Sequence, residues 1–180
     1  RVGRLKEDPN TYHDYIEKHP DDARVDPAYS NIIDILRDEG EDGEALKWSA
    51  KVQEVFRGKT PEALALFAET RIRIAQSDWA AALSALGRLS ELPDLGSTFP
   101  GGTNRPEVMF LRGFSLEQMQ RYREAVDEYL SIPDGRGEYY GGRATERLQI
   151  RSQNPAAAPV ISGRLNALTS VPQPKDAEMQ

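Results

Sequence analysis

The chain has 180 residues and a mass of 20.1 kDa, with 38% apolar and 29% charged residues, enough for one domain with a buried core. Its 23 Lys+Arg against 29 Asp+Glu give a net charge of −6, which argues against a generic nucleic-acid surface. Cysteine is absent, so disulfides, thiolate metal sites and cysteine nucleophiles are excluded, and no apolar run approaches the roughly 20 residues of a membrane-spanning helix.

The first helix is predicted to open at Asp26-Pro27, because Asp caps orphan amides and Pro is tolerated in the first turn. Tyr29, Ile32, Ile33 and Leu36 then form one apolar stripe at helical spacing. Gly40 and Gly43 break the run, and Ala45, Trp48, Val52, Val55 and Phe56 draw a second stripe up to Gly58. A helical hairpin over about 26–57 follows. Thr60-Pro61 opens the next, with Leu64, Phe67, Ala68, Arg71 and Ala75 on its first helix, Gln76-Ser77-Asp78 as the turn, and Trp79, Ala82, Leu83, Leu86 and Leu89 on the return. That hairpin covers about 61–92.

The segment Asp94–Arg105 is rich in Gly, Ser, Thr and Pro and reads as an inserted or functional loop. Pro106 starts a third hairpin, about 106–132, with Met109, Phe110, Gly113, Leu116 and Met119 on one helix and Tyr122, Ala125, Val126, Tyr129 and Ile132 on the other. Pro133-Asp134-Gly135 supplies turn chemistry. A fourth hairpin starts near 138, and Val160, Ile161, Leu165 and Leu168 mark the partner of its first helix. Residues 152–180 read as partly helical and then, from about Pro172, as a polar mobile tail. No stretch alternates as a sheet requires, so the fold class is all-α.

Catalytic and metal chemistry find no support in these patterns. His13 and His19 do not share a helical face and lack a third ligand beside them. The acid pairs Asp21-Asp22, Asp38-Glu39 and Glu41-Asp42 lie in turns and on polar faces rather than across a cleft. Gly101-Gly102 and Gly141-Gly142 lack the strand and the Lys-Ser/Thr of a phosphate loop. The expectation is a chain with no cofactor and no metal, and not an enzyme in itself. Arg143, Arg147 and Arg151 form one basic stripe, readable as a contact for an anion or acidic partner, or as a solvated face pairing with Glu146 or with acids of the preceding repeat.

Helix–turn–helix units recurring at about 34 residues are the mark of tetratricopeptide repeats, and this chain resembles that family from Tyr12 to Ile132. The third hairpin carries the resemblance best, with Gly113, Leu116, Tyr122, Ala125 and Tyr129 at signature positions and Arg112 in place of the usual leucine. The equivalent alanines Ala45, Ala82 and Ala125 stand 37 and 43 residues apart, so the units are degenerate, with insertions in the loops. The resemblance implies a right-handed helical-repeat superhelix, a tetratricopeptide-like solenoid. Trp48, Phe67, Trp79, Tyr122 and Tyr129 would then be core residues, because no hairpin can cover its own apolar face.

The family's concave wall comes from the first helices, which implies that Glu107, Phe110, Phe114, Glu117 and Gln118 face a groove for a protein or peptide partner. The competing reading packs the two phenylalanines on the inserted loop, near Phe99. The expected role is a protein–protein interaction scaffold, with Arg143 and Arg147 as further partner contacts. The segment PDGRGEYYGGRATERL, Pro133 to Leu148, also resembles the superhelical part of soluble lytic murein transglycosylases. That implies the non-catalytic superhelix of a peptidoglycan-cleaving enzyme, periplasmic or in the cell envelope, as the alternative to a cytoplasmic scaffold; a purely architectural subunit of an envelope assembly is the third reading.

Overall fold

The computed structural model describes residues 14, 17–19, 25–135 and 137–170. The expectations about Tyr12, His13, Asp21-Asp22 and the tail from Pro172 fall outside the described residues. Among those residues the protein is all-α, with eight helices and no strand: α1 Val25–Asp38, α2 Asp42–Val55, α3 Thr60–Ala75, α4 Trp79–Glu91, α5 Arg105–Gln118, α6 Tyr122–Leu130, α7 Tyr139–Arg151 and α8 Ala158–Thr169. Consecutive helices from α1 to α7 pack in series, and α1 with α3, α5 with α7 and α6 with α8 pack across the series. This arrangement is consistent with the helical-repeat class in general. No described helix is long and apolar enough to cross a membrane.

The three hairpin turns are built alike. Gly40, Ser77 and Gln120 take positive φ angles of 80°, 57° and 59°, at the same 37- and 43-residue spacings as the alanines. In each turn the following amide reaches back five residues: Glu41 to the Leu36 carbonyl at 2.8 Å, Asp78 to Arg73 at 2.8 Å and Arg121 to Leu116 at 2.9 Å. This is the Schellman closure, which satisfies carbonyls that a helix end would otherwise leave open. Only the first turn uses the glycine that such a backbone favours.

Packing follows the stripes in α1, where Tyr29, Ile32, Ile33 and Leu36 are all buried, and in α4, where Ala82, Leu86 and Leu89 are fully buried. Helix α3 differs from its predicted stripe. Ala63, Leu66, Phe67, Ala68, Thr70 and Ile72 are buried, Leu64 and Arg71 are half-buried, and Ala75 is exposed. The helix is covered by α1, α2 and α4 together, so most of its circumference is interior. Leu64 and Arg71 lie on the side those neighbours leave open. Phe67 and Tyr129 are buried, while Trp48, Trp79 and Tyr122 are half-buried.

The fourth pair departs from a simple hairpin. Helix α7 packs on α5 and α6, and α8 rests on α6. Ile161 and Val160 join Val126 and Ala157 in a small core, and Arg164 pairs with Asp127 at 2.5 Å. Leu165 and Leu168, expected inside, are exposed, because α8 turns only its first half toward α6.

The segment after α4 is an ordered wedge. Asp94 accepts from the Gly96 amide at 2.9 Å and from Thr60 Oγ1 at 2.8 Å. The Phe99 amide bonds the Gly96 carbonyl at 2.9 Å, Gly102 bonds Phe99 at 3.0 Å and Thr103 bonds Leu95 at 3.2 Å. Leu95 is buried with Ala63, Leu66, Phe67 and Val108 of α3 and α5. Whereas α1–α3 and α5–α7 pack directly, α3 and α5 make at most marginal contact. The insertion fills the space between them and carries its tip back over α3 toward α1.

Candidate partner-binding cleft

That tip closes one side of a cleft of about 460 Å³ between α1 and the start of α3. Pro61 and Leu64 form an apolar wall, Phe99 and Pro100 face them from the insertion, and Asn31, Asp34 and Lys59 supply polar edges. Volume and mixed lining are those of a site for a bulky side chain with a few orienting polar groups. Phe99 is 53% exposed, a large aromatic ring left in water by a loop that is otherwise tied down.

The cleft narrows under Pro100 and Gly101 into a crevice that reaches Ala68 and Arg71. The Arg71 guanidinium lies 5.1 Å from the Phe67 ring centroid, and its Nε is buried without a hydrogen-bond partner. Burial, followed by the nearby charge of Arg37, pulls its pKa below the ordinary value, and Asp34 and Glu107 only partly offset this. Gly101 has φ 79°, and a Cβ there would stand 3.5 Å from Arg71 Nη2, so the loop crosses just above the guanidinium.

The residues expected to line the groove on α5 come together elsewhere, in the seam between α4, α5, α6 and α7. Phe110 packs against Tyr129 and Tyr140 at 5.8 and 5.7 Å between ring centroids. Phe114 makes an edge contact with Trp79 at 5.6 Å and receives Arg147 on its face at 5.3 Å. Neither phenylalanine uses Phe99. Glu107 accepts from Thr103 Oγ1 at 2.7 Å, and burial, followed by the neighbouring Glu107 carboxylate, raises the pKa of Tyr140. Gln118 is half-buried, and Arg143 is exposed and paired with Glu146 at 2.6 Å.

Glu117 is interior, its side chain only 1% exposed. It accepts from Tyr129 Oη at 2.9 Å, from Arg147 Nε at 3.1 Å and from Arg151 Nε at 2.6 Å, with a further contact to Arg147 Nη2. Burial alone would raise its pKa, but the bonds from Arg147, Arg151 and Tyr129 outweigh it and hold the carboxyl below the ordinary value. Tyr129 is pushed far upward by burial and by Glu117, so it stays a donor. Two members of the basic stripe thus ion-pair with an acid of the preceding repeat. The stripe pairs with Glu146 and with an acid of the preceding hairpin, one of the two readings of the sequence, but on Glu117 the face is interior rather than solvated.

No group of three or more His, Asp and Glu suited to a metal occurs among the described residues. The cleft residues Asn31, Asp34, Lys59 and Phe99 were not singled out as a site from the sequence. Two signals existed: an aromatic between the glycines of a polar loop, and an arginine at a stripe position otherwise filled by apolar residues. No family model, curated protein or solved structure matches this chain.

Proposed function

We propose that this protein is a non-catalytic interaction module, a right-handed tetratricopeptide-like solenoid that binds an extended segment of a protein partner in the cleft between α1, α3 and the insertion. The observation that carries the reading is the exposed Phe99 opposite Leu64 and Pro61 across about 460 Å³. The three equivalent turns at Gly40, Ser77 and Gln120 support the repeat assignment. Apolar anchors in a preformed cleft supply affinity, and polar edges set register.

Selection from a random peptide library against the whole chain tests this, with enriched peptides mapped by amide chemical-shift changes. Shifts should cluster at Asn31, Asp34, Leu64 and Phe99, and Phe99→Ser should abolish them while leaving the helical circular dichroism unchanged. Enriched peptides that map instead to the α5–α7 seam, or that ignore Phe99→Ser, overturn the proposal.

A further inference from the structure

Arg71 stands apart from the other half-buried arginines. Arg37, Arg73, Arg112, Arg147, Arg151 and Arg164 each have a carboxylate within 4 Å: Asp34, Asp78, Glu128, Glu117, Glu117 and Asp127. Arg71 alone among the described half-buried arginines has none; its Nε, like that of Arg73, is buried without an acceptor. Taking a guanidinium partly out of water without a counter-ion is unfavourable, and the folded chain supplies only a ring face at Phe67. Asp34, on α1 and lining the same crevice, is engaged by Arg37 at 3.2 Å. Glu107 accepts from Thr103 Oγ1 at 2.7 Å.

The cleft and the Arg71 crevice share Ser30, Asp34, Pro61, Leu64 and Pro100 as walls, so the narrow crevice adjoins the cleft. Leu64 and Arg71 are two turns apart on α3; at about 1.5 Å of rise per residue they lie roughly 10 Å apart along the helix. Three residues of polyproline II chain, one full turn at about 3.1 Å each, cover about the same distance and return the side chain to the same face. We propose that the partner segment carries a bulky apolar side chain, seated against Pro61, Leu64 and Phe99, and a carboxylate three residues away that pairs with Arg71. This rests on the cleft reading above and adds the partner's chemistry: an acidic, aromatic-bearing extended peptide. A guanidinium suits that carboxylate because its fork accepts both oxygens at once.

Fluorescence anisotropy with dye-labelled ten-residue peptides tests it. Each contains one Trp and one Glu, with the Glu three positions after the Trp, three before it, or adjacent to it, and each has a Glu→Gln counterpart. The proteins are the full chain, Arg71→Gln, Arg71→Lys and Phe99→Ser. A three-residue spacing should bind best, and Glu→Gln in that peptide should weaken it about tenfold, the scale of a charge-assisted pair. Arg71→Gln should cause the same loss with no further loss when the two changes are combined, and Arg71→Lys should retain part of the binding. If Arg71→Gln does not fold, the Glu→Gln comparison on the unaltered protein decides. Phe99-dependent binding that is equal for Glu and Gln peptides overturns the carboxylate pairing and leaves the cleft reading standing. No Phe99-dependent binding of any Trp peptide removes both.

Discussion

Glu117 is where the stack should be most sensitive to a single change. Removing its carboxylate by Glu117→Ala strands Arg147 and Arg151 and leaves Tyr129 Oη without its acceptor. Breaking a buried pair from one side costs about 3–5 kcal/mol. Arg147 and Arg151 are 19% and 32% exposed and can turn partly to water, so the lower end, about 3 kcal/mol, applies. At roughly 2–4 °C per kcal/mol for a chain of this size, the melting temperature should fall by about 6–12 °C. Glu117→Gln, which keeps the shape and one acceptor, should lose about half as much.

The pH dependence follows from the sign of the shift. The folded pKa of Glu117 lies below its ordinary 4.5, so its contribution is complete above pH 4.5 and is lost as pH falls through the folded value. Urea unfolding of the unaltered chain and of Glu117→Gln should therefore differ by a constant amount from pH 7 to about 4.5 and converge below it. Equal melting of Glu117→Ala and the unaltered chain at pH 7, or a gap that persists unchanged to pH 3, would refute the hub.

Five further changes probe the wedge, the turns and helix α4. Gly102→Ala places a Cβ 1.8 Å from the Gly96 carbonyl oxygen, so the insertion must open; thermal melting should show a clear loss, whereas Gly87→Ala, with nothing near its Cβ, should gain about 0.5–1 kcal/mol as an ordinary helix substitution. Leu95→Ala empties the space between α3 and α5 and should cost about 2–4 kcal/mol in denaturant unfolding; a cost below about 1 kcal/mol would mean the loop does not support the core. Ser77→Gly and Gln120→Gly relieve left-handed backbone at two turns and should each stabilise by up to about 1 kcal/mol, read as an upward shift in melting temperature.

Much of the architecture was legible because it is local. Tyr29, Ile32, Ile33 and Leu36 share a face by helical geometry alone, and each is buried. Gly113, at a signature position of the resemblance, sits where a Cβ would come 2.7 Å from the Tyr129 ring. The α3 stripe was misread because the pattern assumes one covered face, and three neighbouring helices cover more than one. What packs against the α5 residues was illegible for a related reason. Phe110, Phe114 and Glu117 project from a first helix as expected, but Tyr140 and Arg147 of α7, a repeat later in sequence, fill the space in front of them.

The sequence by itself determined the helices, the pairing of the first six into hairpins and the positions of their turns, since side-chain spacing and backbone closure act over a few residues. Tertiary structure alone decided which polar groups became interior partners and which were left without one. Glu117 meets arginines 30 and 34 residues away, and Arg71 meets none. The course of the insertion set that outcome: Leu95 anchors it in the core and Phe99 stands in water, because a buried leucine between two separated helices fixes where the tip of the loop must lie.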